Sequence, residues 1–245
     1  MRTIKTILLA AVVAVMFTTT GNSQEDESFL LDLTAFTIKY GHGSQFVDGV
    51  KKWKKCYQDN DGEGTWNVWH RMQGDENVYV AAGRMANWAE MDKTDPASLA
   101  CSYIALQSIT PHIESQDQNI ARSMPDISRS TDLPNMGLIW STGFKVNNSM
   151  AFMEVIKEVT STIKDKEGDQ RGYWYNVMGG ESMDYFVSSP YENFAALDKE
   201  EDGVWEVYES VHGEKKTKEI REKFMASYDD IWSYIYTLEE ELSMQ

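Results

Sequence analysis

The chain has 245 residues and a formal net charge of −16, from 39 acidic and 23 basic residues. Hydrophobic residues make up 42% of it and aromatic residues 12%, which is the composition of a folded globular protein rather than a disordered or fibrous one. The acidity argues against a general nucleic-acid binder and against a protein that docks on anionic membranes, because both need a basic surface.

Residues 1–23 have the composition of a secretory signal peptide. Arg2 and Lys5 precede an uncharged apolar run at residues 7–17, and Gly21 and Ser23 are small residues placed for cleavage before residue 24. The alternative is a membrane anchor, but the run is shorter than the roughly 20 apolar residues of a spanning helix. We therefore predict a secreted or periplasmic protein that is soluble and free of the membrane once the signal peptide is removed.

The chain contains two cysteines, Cys56 and Cys101. In an oxidising compartment an even pair favours a disulfide, and the alternative is two buried free thiols. Their spacing is too wide for a redox motif, and two cysteines alone cannot make a zinc site, so no metal centre is predicted.

The strongest pattern in the sequence is an internal repeat. Shifted by 106 residues, residues 39–93 match residues 145–199 without a gap and with twelve identities. Further along, the offset becomes 104 and pairs Ile127 with Ile231. We predict two copies of one domain, at residues 24–133 and 134–245, after the signal peptide.

Each copy begins with the same two elements. Residues 31–40 and 138–146 are rich in apolar and β-branched residues and predict strands. An amphipathic helix follows in each copy, with Phe46 and Phe152 at the start of its buried face.

The remaining elements complete a ferredoxin-like order. Strands joined by a tight turn are predicted at residues 66–72 and 77–82, and their counterparts at residues 173–178 and 183–188. A second helical region then runs to about residue 122 in the first copy and about residue 226 in the second. A closing strand is clear at residues 232–238 and weak near Ile127. The order β-α-β-β-α-β predicts an α+β fold of two tandem ferredoxin-like units.

This arrangement resembles the dimeric α/β barrel superfamily, which includes antibiotic-biosynthesis-type monooxygenases, NIPSNAP-like and EthD-like proteins and chlorite dismutases. The resemblance rests on the element order and on a repeated motif, Asn-(Trp/Phe)-Ala-x-(Met/Leu)-Asp-Lys, at residues 87–93 and 193–199. It implies that the two sheets pack face to face within the chain, and it implies fold rather than activity. Cys56 and Cys101 would then lie on neighbouring helices of the first copy, where the second copy has Thr162 and Trp205.

A cavity between the sheets is the predicted ligand site. Side chains alternate along a strand, so Trp69, Arg71 and Tyr175 are expected to face that cavity together. The residues predicted to bind a ligand there or at its mouth are Trp69, Arg71, Tyr79, Arg84, Tyr175, Tyr185 and His42. The aromatic residues suit a small apolar or aromatic molecule, and the two arginines can pair with its carboxylate. The alternative is that the aromatic side chains only form a core.

His70 is the candidate catalytic residue, as a general base or as a metal or haem ligand. The alternative is a histidine that is simply hydrogen-bonded, since its counterpart in the second copy is Asn176. No motif requires a cofactor, and haem is not excluded. Two hypotheses follow: a ligand-binding protein with cofactor-free oxygenase-like chemistry, or a non-enzymatic structural or interaction protein. The repeat predicts a monomer with pseudo-twofold symmetry or a homodimer.

Overall fold

The computed structural model describes residues 28–245, so the predicted signal peptide lies outside the described residues. These residues form eight strands and six α-helices. The strands are β1 (Leu30–Ile38), β2 (Trp66–Arg71), β3 (Asn77–Met85), β4 (Ile113–Ser123), β5 (Leu138–Val146), β6 (Tyr173–Val177), β7 (Tyr185–Tyr191) and β8 (Tyr228–Leu238). The helices are α1 (Gly43–Asp59), α2 (Pro96–Ala100), α3 (Ser102–Ser108), α4 (Ser149–Glu167), α5 (Val204–His212) and α6 (Glu214–Met225).

The strands form one closed barrel in the order β1-β3-β2-β8-β5-β7-β6-β4. Residues 28–133 contribute β4-β1-β3-β2 and residues 134–245 contribute β8-β5-β7-β6, each in antiparallel pairs. The two halves meet at two seams, where Trp69 on β2 pairs with Leu238 on β8 and Ala121 on β4 pairs with Val177 on β6. The α+β class is confirmed, but the two expected face-to-face sheets are continuous around one barrel.

Helices cover the outside of each half because each presents one apolar face to the barrel. Phe46 on α1 is buried against Tyr79 on β3, with ring centroids 5.0 Å apart. Phe152 on α4 is buried against Tyr185 on β7 at 5.2 Å. The same position of the same element therefore anchors the helix layer in both halves.

The repeated asparagine motif caps a short 3₁₀ turn rather than a long helix. Asn87 Oδ1 accepts a hydrogen bond from Ala89 N, and Asn193 Oδ1 accepts one from Ala196 N. These side chains satisfy backbone N–H groups that the start of a helical turn leaves free. The repetition of this motif thus has a local structural cause.

The predicted helical region of the first half extends too far. It ends at residue 112, and residues 113–123 form β4 instead. The central residues of β4, from Glu114 to Gln118, are polar and exposed. Because these residues are polar on both faces, the strand lacks the alternating apolar pattern by which strands are recognised.

The segment that follows β8 crosses from the second half to the first. Leu242 is buried in the apolar cluster under α1. Ser243 Oγ accepts a hydrogen bond of 2.8 Å from Val68 N, and Trp66 N donates to Met244 O at 2.9 Å. The last residues of the chain therefore complete the core of the first half.

The segment that follows β4 makes the reciprocal crossing. Ile127 is buried in the apolar cluster under α4. Ser128 Oγ accepts a hydrogen bond of 2.8 Å from Trp174 N, and Arg129 N donates to Gly172 O at 2.9 Å. Neither half closes its core alone.

The offset of 104 residues near the domain ends is wrong. Ile231 lies on β8 with 43% of its surface exposed, whereas Ile127 lies beyond β4 with 4% exposed. Leu242 occupies the place in the first half that Ile127 occupies in the second.

Cys56 on α1 and Cys101, which lies between α2 and α3, form a disulfide with 5.9 Å between their Cα atoms. Among residues 28–245 there is no helix of the length and hydropathy that crossing a membrane requires.

Candidate functional site

The barrel interior is identified from the alternation along β2. Val68 packs into the cluster beneath α1, so its neighbours Trp69 and Arg71 point to the inside of the barrel. Trp69 is buried, with 6% of its surface exposed. The expected orientation of this strand agrees with the structure.

The middle of the barrel is filled by side chains from both halves. Ala121, Val177 and Phe186 form a buried cluster there, and Tyr175 stacks on Phe186 with ring centroids 4.7 Å apart. Burial raises the pKa of the Tyr175 phenol to about 12, so the hydroxyl stays protonated at neutral pH. Tyr175 lies inside the barrel as expected, but as part of a packed core.

Arg71 closes one end of this interior. Its guanidinium carbon lies 4.6 Å from the centroid of the Tyr234 ring, and its Nη2 donates a hydrogen bond of 3.0 Å to Glu76 O. Only 11% of the side chain is exposed, and its Nε is buried without a hydrogen-bond partner among residues 28–245. A buried, charged N–H group without a partner is costly, so this atom marks the end of the barrel as a candidate binding site.

Two features shape the surroundings of Arg71. Gly74, in the turn between β2 and β3, has a φ of +101° and lies against the guanidinium of Arg71. A side chain at residue 74 would strain the backbone of this turn, so glycine allows the turn to close over Arg71. Tyr236 pairs with Arg71 across β2 and β8, and burial raises the pKa of its phenol. Tyr234 and Tyr236, whose ring planes are inclined by 80° with centroids 6.4 Å apart, therefore lie beside the positive charge.

Tyr234 and Tyr236 are site residues that the sequence reasoning missed. They alternate with Ser233 and Ile235 in the closing strand, so one face of that strand carries Trp232, Tyr234 and Tyr236. This period-2 pattern of aromatic residues was the available signal.

Arg84 lies at the other end of β3. It is exposed, and its guanidinium carbon is 3.8 Å from the centroid of the Phe29 ring. The two predicted arginines therefore occupy opposite ends of the barrel and do not form one site.

Three predicted site residues face the helices instead of the barrel interior. Tyr79 and Tyr185 pack on Phe46 and Phe152, and His70 stacks on Tyr79 at 4.3 Å. The rings of Tyr79 and Tyr185 were assigned to the wrong face because residue type alone does not distinguish the two faces of a strand, whereas the alternation along β2 already places His70 opposite Trp69 and Arg71.

His70 links the two halves at the outside of a seam. Its Nε2 lies 2.8 Å from Asn77 Oδ1, and its Nδ1 lies 3.6 Å from Glu239 Oε1 at the end of β8. This placement corresponds to the hydrogen-bonded alternative, and it separates His70 from Arg71 by the thickness of the sheet.

His42 precedes α1 on the outside of the barrel, where its Nδ1 lies 3.0 Å from Nδ1 of His112. The structure thus pairs His42 with a second histidine, 70 positions further along the chain.

Two open clefts, of about 480 and 450 Å³, lie outside the barrel along α4. His212 and Thr162 line the larger cleft together with the acidic residues Glu158 and Asp165. The smaller one is lined by Arg171, Glu167 and Glu201, among others. Both have charged walls and neither reaches the interior.

Comparison with solved structures identifies the fold. A chlorite dismutase variant from Candidatus Nitrospira defluvii superposes with a TM-score of 0.55 at 9% identity, covering 87% of this chain and 93% of the other. An anthrone oxidase-like protein gives 0.51 at 11% identity, covering 87% and 92%. A proposed monooxygenase from Lactobacillus acidophilus gives 0.50 at 12% identity, covering 86% and 94%.

This chain shares the fold of these structures, and they are dimeric α/β barrel proteins. No family model and no curated protein matches the sequence. At these identities the likeness concerns the fold alone, so the site of this chain has to be argued from its own residues.

The histidines of this chain do not fit a haem ligand. All four lie within residues 28–245, and none points into the barrel. His42 and His112 face each other, His70 is stacked on Tyr79, and His212 lies on Tyr208 with its Nε2 2.9 Å from Thr162 Oγ1. The cleft beside His212 is acidic and would repel the propionates of a porphyrin.

Proposed function

We propose that this chain binds a small aromatic or apolar molecule that carries a carboxylate, held at the end of the barrel where Arg71 lies. The observation that supports this is the buried Nε of Arg71, which has no partner among the described residues. A carboxylate binds a guanidinium through two parallel hydrogen bonds, and the pair is stronger than a neutral hydrogen bond.

The surroundings of Arg71 favour an aromatic carboxylate over a small hydrophilic anion. On β8, the Tyr234 ring lies under the guanidinium of Arg71 and Tyr236 pairs with Arg71 across the strands, so aromatic side chains adjoin the charge. Aromatic rings prefer offset or edge-on contact with other rings, and each such pair adds about 0.5–1.5 kcal/mol. The exposed residues Met72 and Glu76 lie in the turn that covers this end, so entry requires movement of that turn.

The proposal is limited to binding. His70, the predicted base of an oxygenase-like reaction, faces the helices, and a ligand at Arg71 would lie on the opposite face of the strand. The protein named as an anthrone oxidase-like one shares only the fold with this chain at 11% identity, so it supplies no catalytic residue here.

The alternative function is structural, with a barrel that only buries the two halves against each other. The packed middle of the barrel favours it, because Ala121, Val177 and Phe186 are buried there and the two clefts lie outside. This alternative predicts that no ligand depends on Arg71.

The test is binding of 2-naphthoate, an aromatic carboxylate, measured by calorimetry on the full chain. We expect the wild type to bind 2-naphthoate more tightly than the neutral analogue 2-naphthol. Arg71→Gln should weaken 2-naphthoate binding roughly 10- to 100-fold, because a hydrogen bond to a charged group contributes about 1.5–3 kcal/mol.

The matched control is Arg84→Gln, which removes the other ring-stacked arginine at the far end of the barrel. It should leave binding unchanged. Absence of binding to the wild type, or equal affinity in Arg71→Gln and wild type, would establish the structural alternative instead. A thermal unfolding curve for each variant excludes loss of the fold as the cause.

The proposal includes export and internal duplication. Residues 1–23 would direct secretion and be removed, and the Cys56–Cys101 disulfide supports an oxidising compartment, since such bonds are rare in the cytosol. The matching crossings at Ser128 and Ser243 support two copies of one ancestral unit, at residues 24–133 and 134–245, acting as a pseudo-twofold monomer or a homodimer. An intact mass that includes residues 1–23 in the extracytoplasmic fraction would contradict removal of the signal peptide.

A further inference from the structure

His42 and His112 form a pair on the outside of the first half, near the point where the end of β1 meets the start of β3. His42 directly precedes α1, and His112 ends the short 3₁₀ turn before β4. Lys39 connects the two segments, because its backbone N donates to His112 O at 3.0 Å and its backbone O accepts from His42 N at 2.9 Å. Backbone hydrogen bonds therefore fix the positions from which both imidazoles project.

The two rings meet through the same type of atom. Nδ1 of His42 lies 3.0 Å from Nδ1 of His112, and the ring planes are inclined by 53°. One proton between these two atoms makes an N–H···N hydrogen bond, and this is the simplest explanation of the pair. A hydrogen bond accounts for the distance between the two nitrogen atoms. It does not explain why two imidazoles lie side by side at a partly exposed position, where neither contributes to the core.

We propose that His42 and His112 bind a divalent transition-metal ion through their Nδ1 atoms. Imidazole nitrogen is a preferred ligand of zinc, copper and nickel. A tetrahedral zinc ion with nitrogen ligands at about 2.0–2.1 Å holds two of them about 3.3 Å apart, so the observed separation needs to open by only a few tenths of an ångström.

The site would be an open one. Among residues 28–245 there is no group of three or more histidine, cysteine or acidic side chains that could enclose a metal ion. The two histidines would therefore supply two ligands, and water or a ligand from solution would supply the rest. The positive N-terminal end of α1 and the Lys39 ammonium, which donates to Pro111 O at 2.7 Å, both oppose a cation. We accordingly infer micromolar rather than nanomolar affinity, with copper bound more tightly than zinc.

The experiment titrates the metal-stripped full chain with zinc chloride and, separately, copper chloride, followed by calorimetry in a buffer that does not chelate metals. One equivalent of metal should bind. His42→Ala and His112→Ala should each weaken binding at least tenfold. The His42 side chain makes no capping hydrogen bond to α1, so its removal leaves the helix start intact.

The matched control is His212→Ala, which removes the histidine paired with Thr162 on the second half. It should bind metal like the wild type. Nitrogen-15 spectra of the imidazoles should show zinc-dependent shifts of Nδ1 in two rings only. Failure of the wild type to bind, equal binding by His42→Ala, or an equal loss in His212→Ala would each overturn the proposal and leave a histidine–histidine hydrogen bond.

Discussion

In the first half a disulfide fastens α1 to the short helices behind it, whereas in the second half hydrogen bonds fasten α4 to α5. Thr162 Oγ1 lies 2.9 Å from His212 Nε2, and Tyr208, which is fully buried, donates its hydroxyl to Glu158. Thr162 on α4 stands in the sequence repeat where Cys56 stands on α1. The same place in the fold is thus held by covalent chemistry in one half and by polar contacts in the other.

The difference follows from how much each helix layer buries. α2 and α3 contain five and seven residues, and α3 contributes no buried residue. α5 and α6 contain nine and twelve residues and bury Tyr208 and Ile220 against α4. A layer with little apolar contact gains more from a cross-link, as small domains with weak cores generally do.

Removal of the disulfide should have the largest effect. Replacing Cys56 and Cys101 together by serine opens a link between residues 45 apart, for which the chain-entropy estimate is about 4 kcal/mol of unfolding free energy. Urea denaturation measures the loss. Hydrogen exchange should show that protection falls in α2 and α3 while α5 and α6 keep theirs.

The control for this comparison is the reduced wild type, which should match the double serine variant. If the free energy of unfolding fell by less than about 1 kcal/mol in both, the stability of the first half would not depend on the disulfide. The two halves would then differ in the type of bond they use but not in what that bond contributes.

The segments that follow β4 and β8 make matching contacts with the opposite half, so mutations in them test whether the two halves gain the same stability from these contacts. Leu242→Ala and Ile127→Ala each empty a buried site in the core of the opposite half and should each cost about 3 kcal/mol. Urea denaturation compares them with Leu99→Ala, a change at a residue 62% exposed that should cost close to nothing. If only Ile127→Ala lowered the free energy of unfolding, the segment around Leu242 would not be needed for stability. The two crossing segments would then make similar contacts without contributing equally to stability.

Much of the fold could be predicted from the sequence. β5 begins and ends at the predicted residues, and Phe46 and Phe152, which hold the helices against the barrel, are buried as expected. β4 was not, because its exposed polar face carries no strand signal. The site was harder to predict. Arg71 and Trp69 were assigned to the correct face, but the pairing of Arg71 with Tyr236 depends on the seam between β2 and β8, which no local pattern encodes.

The pairing of His42 with His112 has the same origin. The two residues are 70 positions apart and meet only because α1 packs beside α3 and Lys39 bonds to the turn before β4. Contacts of this kind are set by tertiary packing, and single-sequence periodicity carries no information about them.

Asp169 holds the segment that follows β4 against the second half. Its carboxylate accepts hydrogen bonds from the backbone N–H and the hydroxyl of both Ser130 and Thr131, which continue the first crossing segment. Desolvation alone would raise the pKa of Asp169, but these hydrogen bonds together lower it well below its usual range.

Asp169→Asn should give the smallest of the three effects, about 2 kcal/mol at neutral pH, reduced from the sum of its hydrogen bonds because the site is partly exposed. Because the folded-state pKa lies below the unfolded one, this stabilisation is complete above about pH 5 and is lost as the pH falls through the ordinary carboxyl range towards the folded pKa. Wild type and variant should therefore converge in urea denaturation as the pH is lowered below about 4. The control is Glu63→Gln, at the exposed counterpart of Asp169 in the first half, which should not change stability at either pH. A difference between wild type and Asp169→Asn that stays constant across this range would mean that the charge of Asp169 does not hold the segment against the second half.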